Sequence, residues 1–276
     1  MMLADVVENR LKKLKAQNKS MKTLAGIQAD LIKRMNKWTP VINVVQVSEE
    51  EKADKLARGD YLLYEWEDQV DLSFARCLFR DLLEWEGVGK AKRSLKKFGK
   101  SLADEEVDAV LWSGLSNDEA LFSSFIERYE LEADMLALLV QYSLLPTLNR
   151  VNKEWTKDFS LDGWHQGYCP VCGSHPILAE YRESEKFRFL RCGSCACDWV
   201  FPRVGCPQCH NQDYHTLDYL YLEGETKHRV DVCEKCQCYV KGVNALSAQE
   251  YPLLLIEDLA TLHLDMMAQE KGFYRY

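Results

Sequence analysis

Four Cys-x-x-Cys units stand in order along one stretch of the chain: Cys169/Cys172, Cys192/Cys195, Cys206/Cys209 and Cys233/Cys236. Two residues between ligands let one tight turn aim both sulfurs at a single ion. Proline suits the second position of such a turn because its fixed φ matches the first corner, and Pro170 and Pro207 occupy it. Gly173 follows the first turn, where a left-handed residue is often required. Ten of the 11 cysteines lie between Cys169 and Cys238, and Cys77 alone lies outside. In a reducing compartment such clusters hold metal rather than disulfides.

Four thiolates make a closed tetrahedral shell suited to zinc or to a single iron. Pairing neighbouring units closes the shortest loops and costs the least chain entropy. This assigns one site to Cys169, Cys172, Cys192 and Cys195 and a second to Cys206, Cys209, Cys233 and Cys236; interleaved pairing stays open. Catalytic zinc keeps three protein ligands and a water, usually with histidine among them. His210 and His215 lie near a pair, but four-coordination does not need them. Cys197 and Cys238 each extend a pair to Cys-x-x-Cys-x-Cys. Each is read either as a small residue beside a metal turn or as an accessory thiol that exchanges with a ligand.

The first half has a different grammar. Leu24, Ile27, Leu31 and Met35 recur at helical spacing and stop before Pro40, and Leu131, Met135, Leu138, Leu139, Tyr142 and Leu145 form a second stripe ending at Pro146. Residues 71–85 and 104–111 are also predicted helical, with Cys77 in a buried apolar face. Glycines at 59, 87, 89, 99 and 114 supply stops. Beyond residue 160 short alternating segments read as hairpin strands at 177–182, 187–191, 217–222 and 228–232. A closing helix is predicted over 252–271, with Leu255, Leu259, Leu262 and Met266 along one face. The expected fold class is α+β: a helical domain at 1–160, a first rubredoxin- or zinc-ribbon-like β domain at 161–204, and a second at 205–276 that includes the C-terminal helix.

Charge and composition exclude several classes. The net charge is −8. Up to Arg150 there are 22 basic and 25 acidic residues, and after it 13 and 18, so the cysteine-rich half is the more acidic. That disfavours a nucleic-acid-binding zinc ribbon, which wants a basic face. The basic run from Lys90 to Lys100 reads as a solvated helix face, the alternative being a docking patch for an acidic partner. The N-terminus lacks a basic start, an apolar stretch and a cleavage site, as expected of a cytoplasmic protein rather than a secreted one. The apolar stretch from Met135 to Leu145 is far short of the ~20 residues that cross a bilayer, so no membrane insertion is expected. No serine, histidine or carboxylate constellation of hydrolytic spacing is visible, and the chain is read as a non-enzyme. A rubredoxin-like electron carrier is the competing reading.

Four stretches of the second half carry a resemblance. They are Tyr168-Cys-Pro-Val-Cys-Gly-Ser174 with Pro176; Arg188, Leu190, Cys192, Cys195, Trp199, Arg203, Cys206 and Cys209; Cys233-Glu-Lys-Cys236 with Tyr239 and Lys241; and Asp258-Leu-Ala-Thr-Leu-His-Leu-Asp265 with Gly272. In this order they resemble the formate dehydrogenase accessory protein family, FdhE. The resemblance implies a helical N-terminal domain, two rubredoxin-like domains with iron associated with the cysteine pairs, and a cytoplasmic partner, the catalytic subunit of formate dehydrogenase. Cys197 and Cys238 depart from the family pattern. Arg203, between the two sites, is the candidate partner-binding residue.

Overall fold

The computed structural model describes residues 3–37, 42–182, 187–246 and 248–275, so Pro40, the stop foreseen for the second helix, lies outside the described residues. Eight helices come first: α1 (Leu3–Lys15), α2 (Lys19–Met35), α3 (Glu49–Arg58), α4 (Ser73–Leu83), α5 (Lys92–Ser101), α6 (Asp104–Leu115), α7 (Glu119–Tyr129) and α8 (Ala133–Thr156). Six strands follow, β1 (Pro176–Arg182), β2 (Phe187–Cys192), β3 (Asp198–Phe201), β4 (Leu217–Leu220), β5 (His228–Cys233) and β6 (Cys238–Ala245), and the chain continues through α9 (Tyr251–Ala260), α10 (Leu262–Glu270) and β7 (Tyr274–Arg275). The α+β order matches the expectation.

Local rules account for several boundaries. Ser48 and Glu51 form a reciprocal capping box at the start of α3, and Gly59 ends it at φ +84. The basic run lies largely on α5, which buries Leu95 and Phe98 and leaves its lysines wholly or partly in water.

Other expectations are corrected. Pro146 does not end its helix: α8 continues ten residues further, to Thr156. A proline inside a helix costs ~3 kcal/mol or more, but every residue from Ser143 to Asn149 is buried, and that packing outweighs the lost bond. Cys77 is exposed, not core, because α4 turns Phe74, Leu78 and Phe79 inward instead. In α2, Leu24 and Ile27 face outward while Ala25, Gln28, Leu31, Ile32 and Met35 are buried. The closing helix is two helices. Thr261 Oγ1 donates to the carbonyls of Glu257 (2.8 Å) and Asp258 (3.1 Å), and the backbone leaves helical geometry there. Met266 is consequently 61% exposed.

The strands join into one sheet in the order β3-β2-β1-β6-β5-β4. Along this order neighbours pair antiparallel except at the centre, where β1 and β6 run parallel from Ala179↔Gly242 to Arg182↔Ala245, and the short β7 adds parallel to β6 at Cys238 and Tyr239. That pair fuses the two cysteine-bearing hairpin units side by side. Gly242 permits the approach, since a Cβ there would sit 2.9 Å from the Tyr181 ring. One hydrophobic core runs from α2, α4 and α8 through Trp155 and Trp164 to Cys169, Cys192, Leu190 and Trp199.

Beneath this junction lies a buried ionic cluster. Glu180 is 0% exposed. Its Oε2 accepts from Arg182 Nε (3.1 Å) and Nη2 (2.8 Å), and its Oε1 accepts from Arg191 Nη1 and the Gln249 amide. Removing one partner of a buried pair strands the others without compensation. Glu180→Ala is therefore expected to lower stability by about 3–5 kcal/mol, read as a shifted urea midpoint.

Candidate metal centres

Each cysteine pair is a turn built to one plan. The first cysteine's carbonyl accepts the N–H of the residue after the second cysteine: Gly173 to Cys169 (2.9 Å), His210 to Cys206 (3.0 Å) and Gln237 to Cys233 (2.8 Å). That residue is left-handed in all four turns, with φ of +73 at Gly173, +60 at Ala196, +54 at His210 and +59 at Gln237. Glycine adopts this conformation freely and the other three at a cost, so the turns hold it against local preference. The first cysteine's N–H then donates to the carbonyl of the next residue along: Cys169 to Ser174, Cys192 to Cys197 and Cys206 to Asn211, each at 2.9 Å.

The turns bring the sulfurs together as the neighbour pairing requires. The Sγ atoms of Cys169, Cys172, Cys192 and Cys195 lie within 4.8 Å of one another, and so do those of Cys206, Cys209, Cys233 and Cys236. Sulfur pairs stand 3.5 Å apart at Cys169–Cys195, Cys172–Cys192 and Cys206–Cys236, and 3.7 Å at Cys209–Cys233. A tetrahedron of thiolates around zinc at ~2.3 Å has S···S edges of about 3.8 Å, so the donor sets fit one ion each. Neither His210 nor His215 joins a group of metal-capable side chains among the described residues.

Electrostatics points the same way. Burial pushes the Cys169, Cys192 and Cys195 thiols well up, while hydrogen bonds from those three thiols pull Cys172 well down. Such a quartet resists losing more protons unless a cation shares the charge. Backbone amides already aim at the first sulfur of each pair. Val171 N–H is 3.4 Å from Cys169 Sγ, and those of Ser194 and Cys195 are 3.3 and 3.4 Å from Cys192 Sγ. At the second centre burial raises Cys206 to about 11. At Cys233 burial is outweighed by the Cys236 amide and the Asn211 side chain, which bring it to about 7.

The two centres differ in their surroundings. The first is wholly buried; Cys209 and Cys236 of the second are half-buried. Helix α8 grips the first through Asn149 and Asn152, whose Nδ2 atoms donate to the Cys195 carbonyl at 3.0 and 3.4 Å. The Leu62 and Leu63 amides donate to the Pro170 and Val171 carbonyls at 2.8 and 2.9 Å. These residues escaped sequence reading. The one trace of the asparagines is a pair of amides three apart, on one face of α8.

Cys197 and Cys238 occupy one structural position, two residues past a pair, which Ser174 and Asn211 fill in the other turns. There Ser174 Oγ lies 3.5 Å from Cys172 Sγ and Asn211 Nδ2 3.6 Å from Cys233 Sγ. Both cysteines are buried. Cys197 is lowered to about 7 by hydrogen bonds from Cys169 and Cys195, against the opposing effect of burial. Arg203 is exposed on the link between the centres, its guanidinium 5.4 Å from the Tyr181 ring centre.

Purified without chelator or oxidant, the protein is expected to carry two metal ions per chain in all-sulfur shells; elemental analysis finding one or fewer contradicts this. Closing a shell of this kind is worth about 10–16 kcal/mol in small zinc peptides. The shared core makes the centres unequal. Cys192→Ser should loosen α8 along with the sheet, whereas Cys233→Ser should leave α8 protected, since the side chains near it form a separate small core of Val230, Val232, Tyr239 and Leu264. Hydrogen exchange over residues 133–156 distinguishes the two.

The comparisons with known proteins converge on one family. Residues 168–203 match the family model "FdhE, central domain" and residues 204–276 match "FdhE, C-terminal domain". An FdhE homologue from Aquifex aeolicus is 34% identical over 159 residues, covering 56% of this chain and 55% of its own. One from Pseudomonas aeruginosa is 35% identical over 116 residues, covering 39% and 37%. The chain thus spans about half or less of these curated relatives. The crystal structure of the FdhE protein from Pseudomonas aeruginosa superposes with a TM-score of 0.68 at 21% identity, covering 98% of this chain and 91% of that one, which establishes a shared fold. Residues 168–276 thus match the two FdhE domain models in order, and the chain shares the fold of an FdhE crystal structure.

Proposed function

We propose that the protein is an accessory factor that binds the catalytic subunit of formate dehydrogenase in the cytoplasm and is needed for that enzyme's activity, without catalysing a reaction itself. The carrying observation is the pair of closed four-sulfur centres. Four thiolates around one ion leave no position for water or substrate, so the centres suit holding a surface in shape rather than turning over a substrate. The similarity of residues 168–276 to the FdhE domains supports the identity of the partner. The eight clustered cysteines are the ligands for two ions, iron or zinc. Cys197 and Cys238 are accessory thiols, each placed two residues from a ligand. Arg203 contributes to partner binding from the link between the centres. None of the helices described is long and apolar enough to cross a membrane.

Cells lacking the protein should show reduced formate dehydrogenase activity with an unchanged amount of catalytic-subunit polypeptide, and the tagged subunit should co-purify with the protein. Normal formate oxidation in such cells rejects the function.

A further inference from the structure

Between the two centres the surface opens into a cavity of about 180 Å³. Gly167 makes the junction: a Cβ there would fall 1.6 Å from the Pro207 carbonyl oxygen, so only glycine lets the approach to the first centre touch the turn of the second. The cavity is smaller than the ~300–1,000 Å³ of pockets that enclose small molecules, and has room for one or two side chains. Its wall includes Cys206, Cys233 and Cys238, the second centre's own flank.

Three arginines line it, Arg188, Arg203 and Arg229, against two carboxylates, Asp218 and Asp231. Counting guanidinium and carboxylate side chains alone, the lining is cationic by one, on a chain of net charge −8. Arg188 is 2% exposed. Its Nη1 donates to the Gly205 carbonyl at 2.7 Å and its Nη2 forms an ion pair with Asp231 at 3.2 Å, but among the described residues neither Nε nor Nη2 has a partner of hydrogen-bond geometry. A buried guanidinium left short of acceptors is costly unless something completes it. Around the mouth, beside the exposed Arg203 and Asp218, stand exposed aromatic and aliphatic side chains. Val204 (51%), Tyr214 (68%) and Tyr219 (51%) line the cavity, and Tyr221 (57%) and Leu222 (48%) follow directly along the chain. Tyrosine and arginine around a small pocket are the composition of protein-binding hot spots. The pocket also sits at an edge of the sheet, since among the described residues β4 pairs with β5 alone. Asp218 Oδ1 already accepts the Tyr219 N–H at 2.7 Å, which leaves recognition here to side chains rather than to that backbone donor.

We propose that this cavity receives an acidic side chain from an extended segment of a protein partner, its carboxylate held among Arg188, Arg203 and Arg229 while the flanking residues lie on Tyr214 and Tyr219. This rests on the reading of the protein as a factor that binds the formate dehydrogenase catalytic subunit, and names the surface and the chemistry of that contact. Because Cys206, Cys233 and Cys238 form one wall, the pocket keeps its shape only while the second centre is closed.

The test uses the full chain and the purified catalytic subunit as probe, with overlapping peptides of that subunit on an array. Arg203→Glu and the double variant Y214A/Y219A should each weaken binding at least tenfold while retaining two metal ions. Met266→Ala, exposed elsewhere on α10, should bind as the parent does. Captured peptides should be acidic, and raising salt should release them. If the parent binds the subunit and the groove variants bind equally well, the docking site is overturned and the function stands. If the parent does not bind the subunit, both fall. Capture of neutral or basic peptides overturns the carboxylate. If the groove variants abolish self-association of the chain and leave subunit binding unchanged, the occupant is a second copy and the proposal fails.

Discussion

Four thiols held within 4.8 Å of one another inside a hydrophobic core are sustainable when a cation shares their charge, and the architecture around the first centre depends on that condition. The sulfurs do not line a pre-existing fold. They occupy the place where the helical layer and the sheet meet, in one core with Trp155, Trp164, Leu190 and Trp199. Hydrogen bonds from α8 and from the segment after α3 converge on the backbone of the two turns. The ion would act as a core residue as much as a clip: without it the cluster offers adjacent elements a set of polar, mutually repelling atoms instead of a packed centre.

The second centre is attached differently, and the difference follows from strand pairing. The two hairpin units are joined by a short parallel ladder between β1 and β6 and by the contact of Gly167 with Pro207. Parallel neighbours normally need a covering crossover on the face of the sheet. Here the connection holds four strands, β2 to β5, and its residues supply most of the arginine-lined cavity. The same connection that places the centres side by side therefore leaves a recess between them. The first centre consolidates the body of the molecule, and the second, half-exposed, borders its most tyrosine-rich surface.

What the sequence made legible was local. A Cys-x-x-Cys turn is specified within six residues, so the eight sulfurs and their grouping could be read from spacing, and the strands between turn residues with them. What it concealed was long-range. Pro146 reads as a stop because its cost is local, whereas the burial of Ser143 to Asn149 that outweighs it comes from elements distant in the chain. Cys77 sits among apolar neighbours in sequence, but a helix turns 100° per residue and the buried face passes it by. Strand β3 begins at Asp198, directly after Cys197, and β6 at Cys238 itself, where metal-turn and strand patterns overlap and neither period is visible. The break at Thr261 is made by one hydroxyl taking two carbonyls, which no apolar stripe reports.

Glu257 on α9 carries a consequence for how such a chain is made. It is 1% exposed and pairs with Arg10 of α1, with Lys227 and with His228, while Leu11, Leu14 and Ile256 pack beside it. The segment that leaves the ribosome early is thus completed by one that leaves late. Until residues near 257 emerge, α1 and α2 hold an apolar face with no cover, through the whole interval in which all eight clustered cysteines are translated. Closure of this contact therefore follows the translation of all eight clustered cysteines, and the apolar face of α1 and α2 that waits for it is the kind of transiently exposed surface that chaperones bind.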